Sequence, residues 1–385
     1  MAASTQDPTA QAPGWRVATI GGVPVYIGRS WPVIALLIVA TFGPNVASFR
    51  PDLGLLAYLV AVLYALLLLV SVLAHEAAHA VVATRVGYRV NRVVADLWGG
   101  HTAYETSRAR PGPSALVAVA GPLANAVLAV VGWFALPADP YGIPHLLVYA
   151  TVFANAFVAG FNLLPGLPLD GGFLVDSLVW RVTGSRETGL IVAGWCGRIV
   201  TVLVVVYFVG GPLVNGQRPD LFSVLIGLFI GSFLWMGATN AIRSGRGGRQ
   251  MAAIQIGSVW RRAVSLPASA SAAQALAQRV AGPLGSAVII EDEGHRAIGL
   301  LDDEALHSIP EQSLASVPIT AVMRLQPAGW VVEATAEQSI VPVVMAMQQL
   351  GIGAVPVRVP GGQIAGIVLA GDLEAALSQR PASPT

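Results

Sequence analysis

Up to Ile242 the chain reads as long apolar stretches separated by short polar ones. A helix needs about 20 consecutive apolar residues to cross the hydrocarbon core of a bilayer. Six stretches have that character: 31–49, 53–74 with a continuation past a charged cluster to 84, 114–136, 145–164, 199–214 and 221–242. Pro44 and Arg198 trim the first and the fifth. The pattern predicts an α-helical polytopic membrane protein over 14–242, with about six transmembrane helices.

Beyond Ile242 the pattern changes. Residues 243–250, rich in Arg and Gly, read as a flexible linker. From 251 to 377 the chain turns to a soluble α/β pattern containing a repeat. One half predicts a helix over 269–280, a strand over 286–291, a turn and a strand over 297–301 leading to a helix. The other predicts a helix over 336–350, a strand over 354–359, a turn at Pro360-Gly-Gly362 and a strand over 364–368 leading to a helix over 371–377. Gly299 and Gly366 hold matching places. The ends, 1–13 and 378–385, read as disordered tails. The first of these is polar, contains Asp7 and lacks the basic cluster of a secretory leader.

Composition supports lipid as the solvent for much of the molecule. Of 385 residues 55% are hydrophobic and 11% charged, where a soluble domain carries about 25% charged residues. The net charge of +1 gives no field that would draw nucleic acid. The single cysteine, Cys196, excludes an intrachain disulfide and reads as a packing residue beside Arg198.

Arginine placement sets the sidedness. Arg16 and Arg29 precede the first stretch, five arginines from Arg85 to Arg110 follow the second, Arg181, Arg186 and Arg198 follow the fourth, and Arg243, Arg246 and Arg249 follow the sixth. The opposite loops carry only Arg50 and Arg218. By the positive-inside rule both termini and the soluble tail are cytoplasmic, in a multi-pass protein of the cell membrane.

Candidate chemistry lies at the end of the second stretch. His75-Glu-Ala-Ala-His79 directly follows the uncharged run 53–74. Residues four apart project from one helix face, so both imidazoles can share a metal ion. Glu76 can act on a water at that metal without being a ligand. Zinc lowers the pKa of such a water to about 7. In a soluble protein this pattern is often two surface histidines and a solvated Glu. In a membrane helix each ionisable group needs a partner, which favours the metal. A catalytic zinc takes three protein ligands and leaves one position open. Asp170, the only carboxylate between Asp139 and Asp176, supplies the third. Pro165 and Pro168 break the helix before it, and Gly171 and Gly172 let the backbone turn tightly into a ligand loop.

Two motifs, His75 to His79 and Asn162-Leu-Leu-Pro-Gly-Leu-Pro-Leu-Asp-Gly171, resemble the site-2 protease family of intramembrane zinc metalloproteases. Gly121-Pro-Leu-Ala-Asn125 also looks like that family's Gly-Pro turn. The resemblance spans 14–242 and implies a zinc endopeptidase with one Zn2+ per chain, held by His75, His79 and Asp170. It implies that Glu76 is the proton shuttle, and that Asn162 stabilises the oxyanion or positions substrate; helix capping is the plainer role for Asn162. It further implies regulated intramembrane proteolysis of single-span membrane proteins such as anti-sigma factors.

The tail resembles a tandem pair of cystathionine-β-synthase (CBS) domains, as found in one branch of that family. Such pairs often bind adenine nucleotides, which implies a ribose contact at Asp372 and a gating role. Ala305 stands at the corresponding place in the first half, and Leu369 replaces the usual hydroxyl residue. A packing or homodimerisation module that binds nothing is the other reading.

Further readings stay open at this level. The run 90–97 followed by Trp98-Gly-Gly100 reads as a strand and turn whose edge could pair with unwound substrate, or as an ordinary hairpin. His101 reads as a loop residue, and His145 lies at the far end of the fourth stretch. A metal or ion transporter with a CBS regulatory tail is the rival function. Such a protein would line a path through the bilayer with polar groups.

Overall fold

The structure is a computed structural model that describes residues 14–96, 99–104, 109–214, 216, 218–281 and 286–379, and the side chains of all of these except 96, 99–104 and 379. The expected tail 1–13, residues 380–385 of the expected tail 378–385, the Trp98 turn and the His101 side chain lie outside the described residues. The chain divides into two compact units, Met1–Arg246 and Gly247–Thr385.

The first unit opens with a hairpin of β1 (Gly14–Ile20) and β2 (Val23–Gly28). Gly21 and Gly22, with φ of 56° and 86°, make its two-residue turn. This left-handed pair matches the twist of the flanking strands. Two helices follow, α1 (Trp31–Phe49) and α2 (Leu56–Arg85), before the chain returns as β3 (Val90–Asp96) and β4 (Gly99–Tyr104). The sheet order is β1-β2-β3-β4, with β2 and β3 parallel. The run 90–97, for which sequence left open a substrate-pairing edge or an ordinary hairpin, forms the hairpin β3–β4, and β3 itself is interior. The N-terminal hairpin, whose strand alternation went unread, covers it and leaves β1 and β4 as the edges.

The remaining helices are α3 (Pro111–Phe134), α4 (Ile143–Asn162), α5 (Asp170–Thr183), α6 (Arg186–Val205), α7 (Gly211–Val214) and α8 (Leu221–Ala252). Six helical segments among the described residues are long and apolar enough to cross a membrane: 31–49, 56–85, 111–134, 143–162, 186–214 and 221–252. α2 buries Ala57, Ala61 and Ala65 on one face. Small residues four apart let neighbouring helices approach closely in lipid.

Three boundaries differ from expectation. The fifth span begins at Arg186 rather than 199, because Ser185 caps it by accepting from the Thr188 N–H at 3.1 Å. The span continues through a π-helical turn, Val206–Gly210, into α7. The expected flexible linker is helical as far as Ala252. Packing explains this: a Cβ at Gly245 would fall 2.6 Å from the Glu187 carbonyl oxygen and 2.7 Å from Ile191, so α8 runs tightly against α6 there. The expected tight turn at Gly171 and Gly172 is instead the first turn of α5. Their missing side chains admit the backbone of Leu163, Leu164 and Leu167, which a Cβ would meet at 2.2–2.4 Å.

The second unit has a seven-stranded sheet in the order β8-β7-β6-β5-β11-β10-β9. One half comprises β5 (Arg261–Pro267), α9 (Ala272–Ala281), β6 (Ala287–Glu291), β7 (Ala297–Leu301), α10 (Asp303–His307) and β8 (Met323–Leu325). The other comprises β9 (Val332–Glu333), α11 (Val341–Leu350), β10 (Ala354–Arg358), β11 (Ile364–Leu369) and α12 (Ala370–Gln379). Each half has its own apolar core, around Val288, Ile290 and Ile319 in one and Ile340, Val355 and Val357 in the other. Trp330 joins them, packed with Ile289 and Ile364 and donating its indole N–H to the Ala297 carbonyl at 2.8 Å. The helix expected from 336 starts at Val341, where Pro342 suits the first turn. The helix expected to end at 377 continues to Gln379.

Candidate metal centre

The site is assembled from α2, α3 and the start of α5. His75 and His79 lie one turn apart on α2 and are buried, as is Glu76 between them. Their Nε2 atoms are 3.1 Å apart. Asp170, the first residue of α5, brings Oδ2 to 3.2 Å from His75 Nε2 and 3.4 Å from His79 Nε2. The loop that delivers it is pinned to α6, where the Leu167 N–H donates to the Ala193 carbonyl at 3.1 Å.

Both imidazole orientations are fixed from behind. His75 Nδ1 donates to Asn125 Oδ1 at 2.5 Å, and His79 Nδ1 donates to the Val117 carbonyl at 2.7 Å. Each Nδ1 carries the proton, so each Nε2 presents a lone pair. Asp170 Oδ2 is buried and receives no hydrogen bond from any described residue. Three electron-rich atoms thus face one another across 3.1–3.4 Å, an arrangement that repels unless a cation lies among them. Ligands at about 2.0–2.1 Å from a tetrahedral zinc stand roughly 3.3 Å from each other, which is the spacing found. Two imidazole nitrogens and one carboxylate oxygen also make a donor set that zinc accepts in catalytic sites. The residues present fit the metal.

The support extends across three helices. Asn125 of α3 donates to Asn155 Oδ1 of α4 at 2.8 Å, and Asn155 donates to Ser71 Oγ of α2 at 2.9 Å and to the Thr151 carbonyl at 2.8 Å. Gly121, also on α3, makes room for the rings: a Cβ there would stand 2.3 Å from His79 Nε2 and 2.4 Å from His75 Nε2. The expected Gly-Pro turn is thus a continuous helix, and its glycine is the wall of the site. Sequence reasoning assigned no role to Asn155 or Ser71. The available signal was a polar residue in each of two apolar helices, with Ser71 four before His75.

Among the described residues the other candidates hydrogen-bond to different partners or to none. Asn162 closes α4, half-buried, and its side chain hydrogen-bonds to no described residue. His145 donates from Nδ1 to the Pro137 carbonyl at 2.7 Å, at the opposite end of α4. Arg198 stacks between Trp195 and Trp235, at 4.7 and 4.8 Å from the ring centroids. Asp372, in the second unit, is held by Arg261 through two hydrogen bonds of 2.6 and 2.7 Å.

Comparison with known proteins bears on this arrangement. Residues 63–141 match Peptidase family M50, a stretch that contains both histidines, Glu76 and Asn125. The Synechocystis sp. protein named "Putative zinc metalloprotease sll0528" is 28% identical over 357 residues, 92% of this chain and 92% of that one. The Mycobacterium tuberculosis protein named "Putative zinc metalloprotease Rip3" is 36% identical over 217 residues, 52% of this chain and 53% of that one. The solved site-2 protease of Methanocaldococcus jannaschii covers 59% of this chain and 94% of its own, at 20% identity and a TM-score of 0.42. Solved CBS-domain proteins are similar to about a third of this chain.

Proposed function

We propose that this chain is a multi-pass zinc metalloprotease of the site-2 type with a tandem CBS-domain module, and that it hydrolyses peptide bonds in or near transmembrane segments of other membrane proteins, a reading supported by the family match and by relatives named zinc metalloproteases. The observation that carries the proposal is the convergence of His75, His79 and Asp170 through three lone-pair atoms 3.1–3.4 Å apart. These three side chains would hold the zinc. Bound there, zinc supplies Lewis acidity toward a water and a peptide carbonyl.

The remaining chemistry belongs to the protein. Glu76, buried between the histidines, takes a proton from the attacking water and returns it to the leaving amine nitrogen as the C–N bond breaks. Asn125 and the Val117 carbonyl keep both imidazoles in the ligating tautomer. Asn162, with its amide uncommitted, donates to the developing oxyanion or to the substrate backbone. Single-span proteins of the anti-sigma-factor kind are the proposed substrates, and both termini and the CBS pair face the cytoplasm. Hydrolysis is favoured over the transporter reading because, among the described residues, the metal-spaced cluster His75, Glu76 and His79 carries a carboxylate between the two imidazoles.

The direct test is Glu76→Gln with a tagged single-span membrane substrate. Zinc content stays near one per chain while cleavage falls by at least three orders of magnitude. Cleavage at the parental rate would refute the assignment of Glu76.

For the CBS pair we propose gating by an adenine nucleotide in competition with an internal latch, and homodimerisation through the pair. The Asp372 carboxylate is already engaged through both oxygens by Arg261, so a ribose would compete with the guanidinium for it.

A further inference from the structure

β1 has a face that no part of the described protein covers. Its register with β2 pairs Trp15 with Ile27, Ala18 with Val25 and Ile20 with Val23. Residues directly opposite in an antiparallel pair point to the same side. Val23 and Val25 point inward, packed with Val93 and with Ala80 and Leu73 of α2. Trp15, Ala18 and Ile20 therefore share the inner side of the sheet. The register shift between Arg16 and Ala18 makes this segregation possible, because an extra residue, Val17, resets the alternation. Arg16 and Thr19 fall on the outer side, and the Arg16 guanidinium donates to Thr19 Oγ1 at 2.8 Å.

The strand is thus amphipathic, yet its apolar side is open. Trp15 is 55% exposed, Val17 50% and Ile20 41%. The location of the sheet identifies what covers them. Its inner face lies against Leu73 and Ala80, which belong to the span 56–85 and bracket the His75–His79 motif. At 1.5 Å per residue, Leu73 to Ala80 is about 10 Å of membrane helix. The hairpin also leads, within three residues of Gly28, into Trp31 at the head of the first span. The spans α1 and α2 also expose apolar side chains, among them Leu36, Leu37, Leu63 and Leu66.

We propose that the inner face of β1, formed by Trp15, Ala18 and Ile20, is immersed in the lipid leaflet beside α2, and that the β1–β2 hairpin is a lipid-docking element rather than a solvated one. An apolar strand face with Trp at its edge suits the interfacial region, where the indole meets both acyl chains and headgroups. Arg16 and Arg29, on the polar side and at the end of the hairpin, suit anionic headgroups. The sheet that carries β4 is then held at the depth of the metal centre. The proposal rests on the membrane spans alone and not on the hydrolytic chemistry.

The test uses the full chain in phosphatidylcholine/phosphatidylglycerol nanodiscs. In a Cys196→Ser background, single cysteines at Ala18, Ile20, Arg16 and Val280 carry a nitroxide, and collisions with oxygen and with a water-soluble nickel chelate are compared. The oxygen-to-nickel ratio at 18 and 20 is expected to exceed that at 16 and 280 several-fold. Equal ratios would place the face in water and overturn the proposal. Shielding of 18 and 20 from both reagents would place protein there and overturn it too. Because cysteine variants can misfold, Trp15→Phe supplies an independent reading. Lipids brominated near the headgroup should quench the parent more than this variant, and identical quenching would count against the proposal. Neither reading depends on cleavage, so a failure here is distinguishable from a failure of the protease assignment.

Discussion

The Asn125 carboxamide oxygen accepts the Nδ1 proton of His75 at 2.5 Å, and so decides which nitrogen of that imidazole faces Asp170. The bond joins α3 to α2. Asn125 in turn donates to Asn155, which holds the amide so that its oxygen and not its nitrogen meets the ring. Replacing Asn125 by Ala should release the tautomer and the ring orientation. Losses of about 10- to 100-fold in metal affinity accompany removal of such supporting partners. Competition with a zinc-chelating dye checks this. Asn125→Asp, which keeps the acceptor, should retain much more of the affinity than Asn125→Ala.

Gly121→Ala is predicted to be more damaging than its size suggests. The added methyl would fall 2.3–2.4 Å from both Nε2 atoms, inside any tolerated contact. Either α3 moves away from α2 or the histidines lose their convergence, and both outcomes remove zinc. Metal analysis of the purified variant should find far less than one zinc per chain. Gly112→Ala, where a Cβ would meet nothing within 4 Å, should bind zinc like the parent.

Asp176 predicts a pH dependence of stability. It lies on α5, which is not one of the spans, and is 3% exposed with Oδ1 lacking a hydrogen bond among the described residues. Burial pushes its carboxyl up to about 6, against the pull of Arg186 and with the push of Glu187. A raised carboxyl pKa means that the fold prefers the protonated form. The favourable contribution is complete below the unfolded value of about 4 and is lost as pH rises through 6. Two units correspond to roughly 3 kcal/mol at neutral pH, as an upper figure. The melting midpoint in detergent should therefore fall between about pH 4 and 6 for the parent and level off above that. Asp176→Asn should flatten that slope.

Arg261 predicts latent nucleotide binding. Its guanidinium grips both oxygens of Asp372, and that partnership raises the Arg261 pKa further. Full-length protein titrated with AMP should bind more weakly than the Arg261→Gln variant, by tenfold or more. Equal affinities, or no binding by either up to millimolar concentration, would remove ligand control by this half.

Local rules made part of the site legible. The i, i+4 spacing of His75 and His79 dictates a shared helix face whatever the rest of the chain does, and the uncharged run before them marks the helix as a span. Asp170 could be nominated because few carboxylates stand in apolar sequence. The glycines after it were read as a turn because sequence shows that Gly permits sharp bends, whereas the need for Gly171 and Gly172 lies in a backbone packed against them. Likewise 243–249 looks flexible by composition and is helical because Gly245 abuts α6.

The sequence by itself determined that six stretches are apolar and long enough to cross a bilayer, that a repeat follows them, and that two imidazoles share a face, because hydrophobic length and helical period act within neighbouring residues. Only the tertiary structure decided that Asp170 comes within 3.4 Å of both rings, that Gly121 admits them, that Asn125 and Val117 select the tautomers, and that β2 pairs with β3 to make one sheet. Those relations join groups tens of residues apart. They are fixed by steric fit and hydrogen-bond satisfaction between elements, which no local pattern encodes.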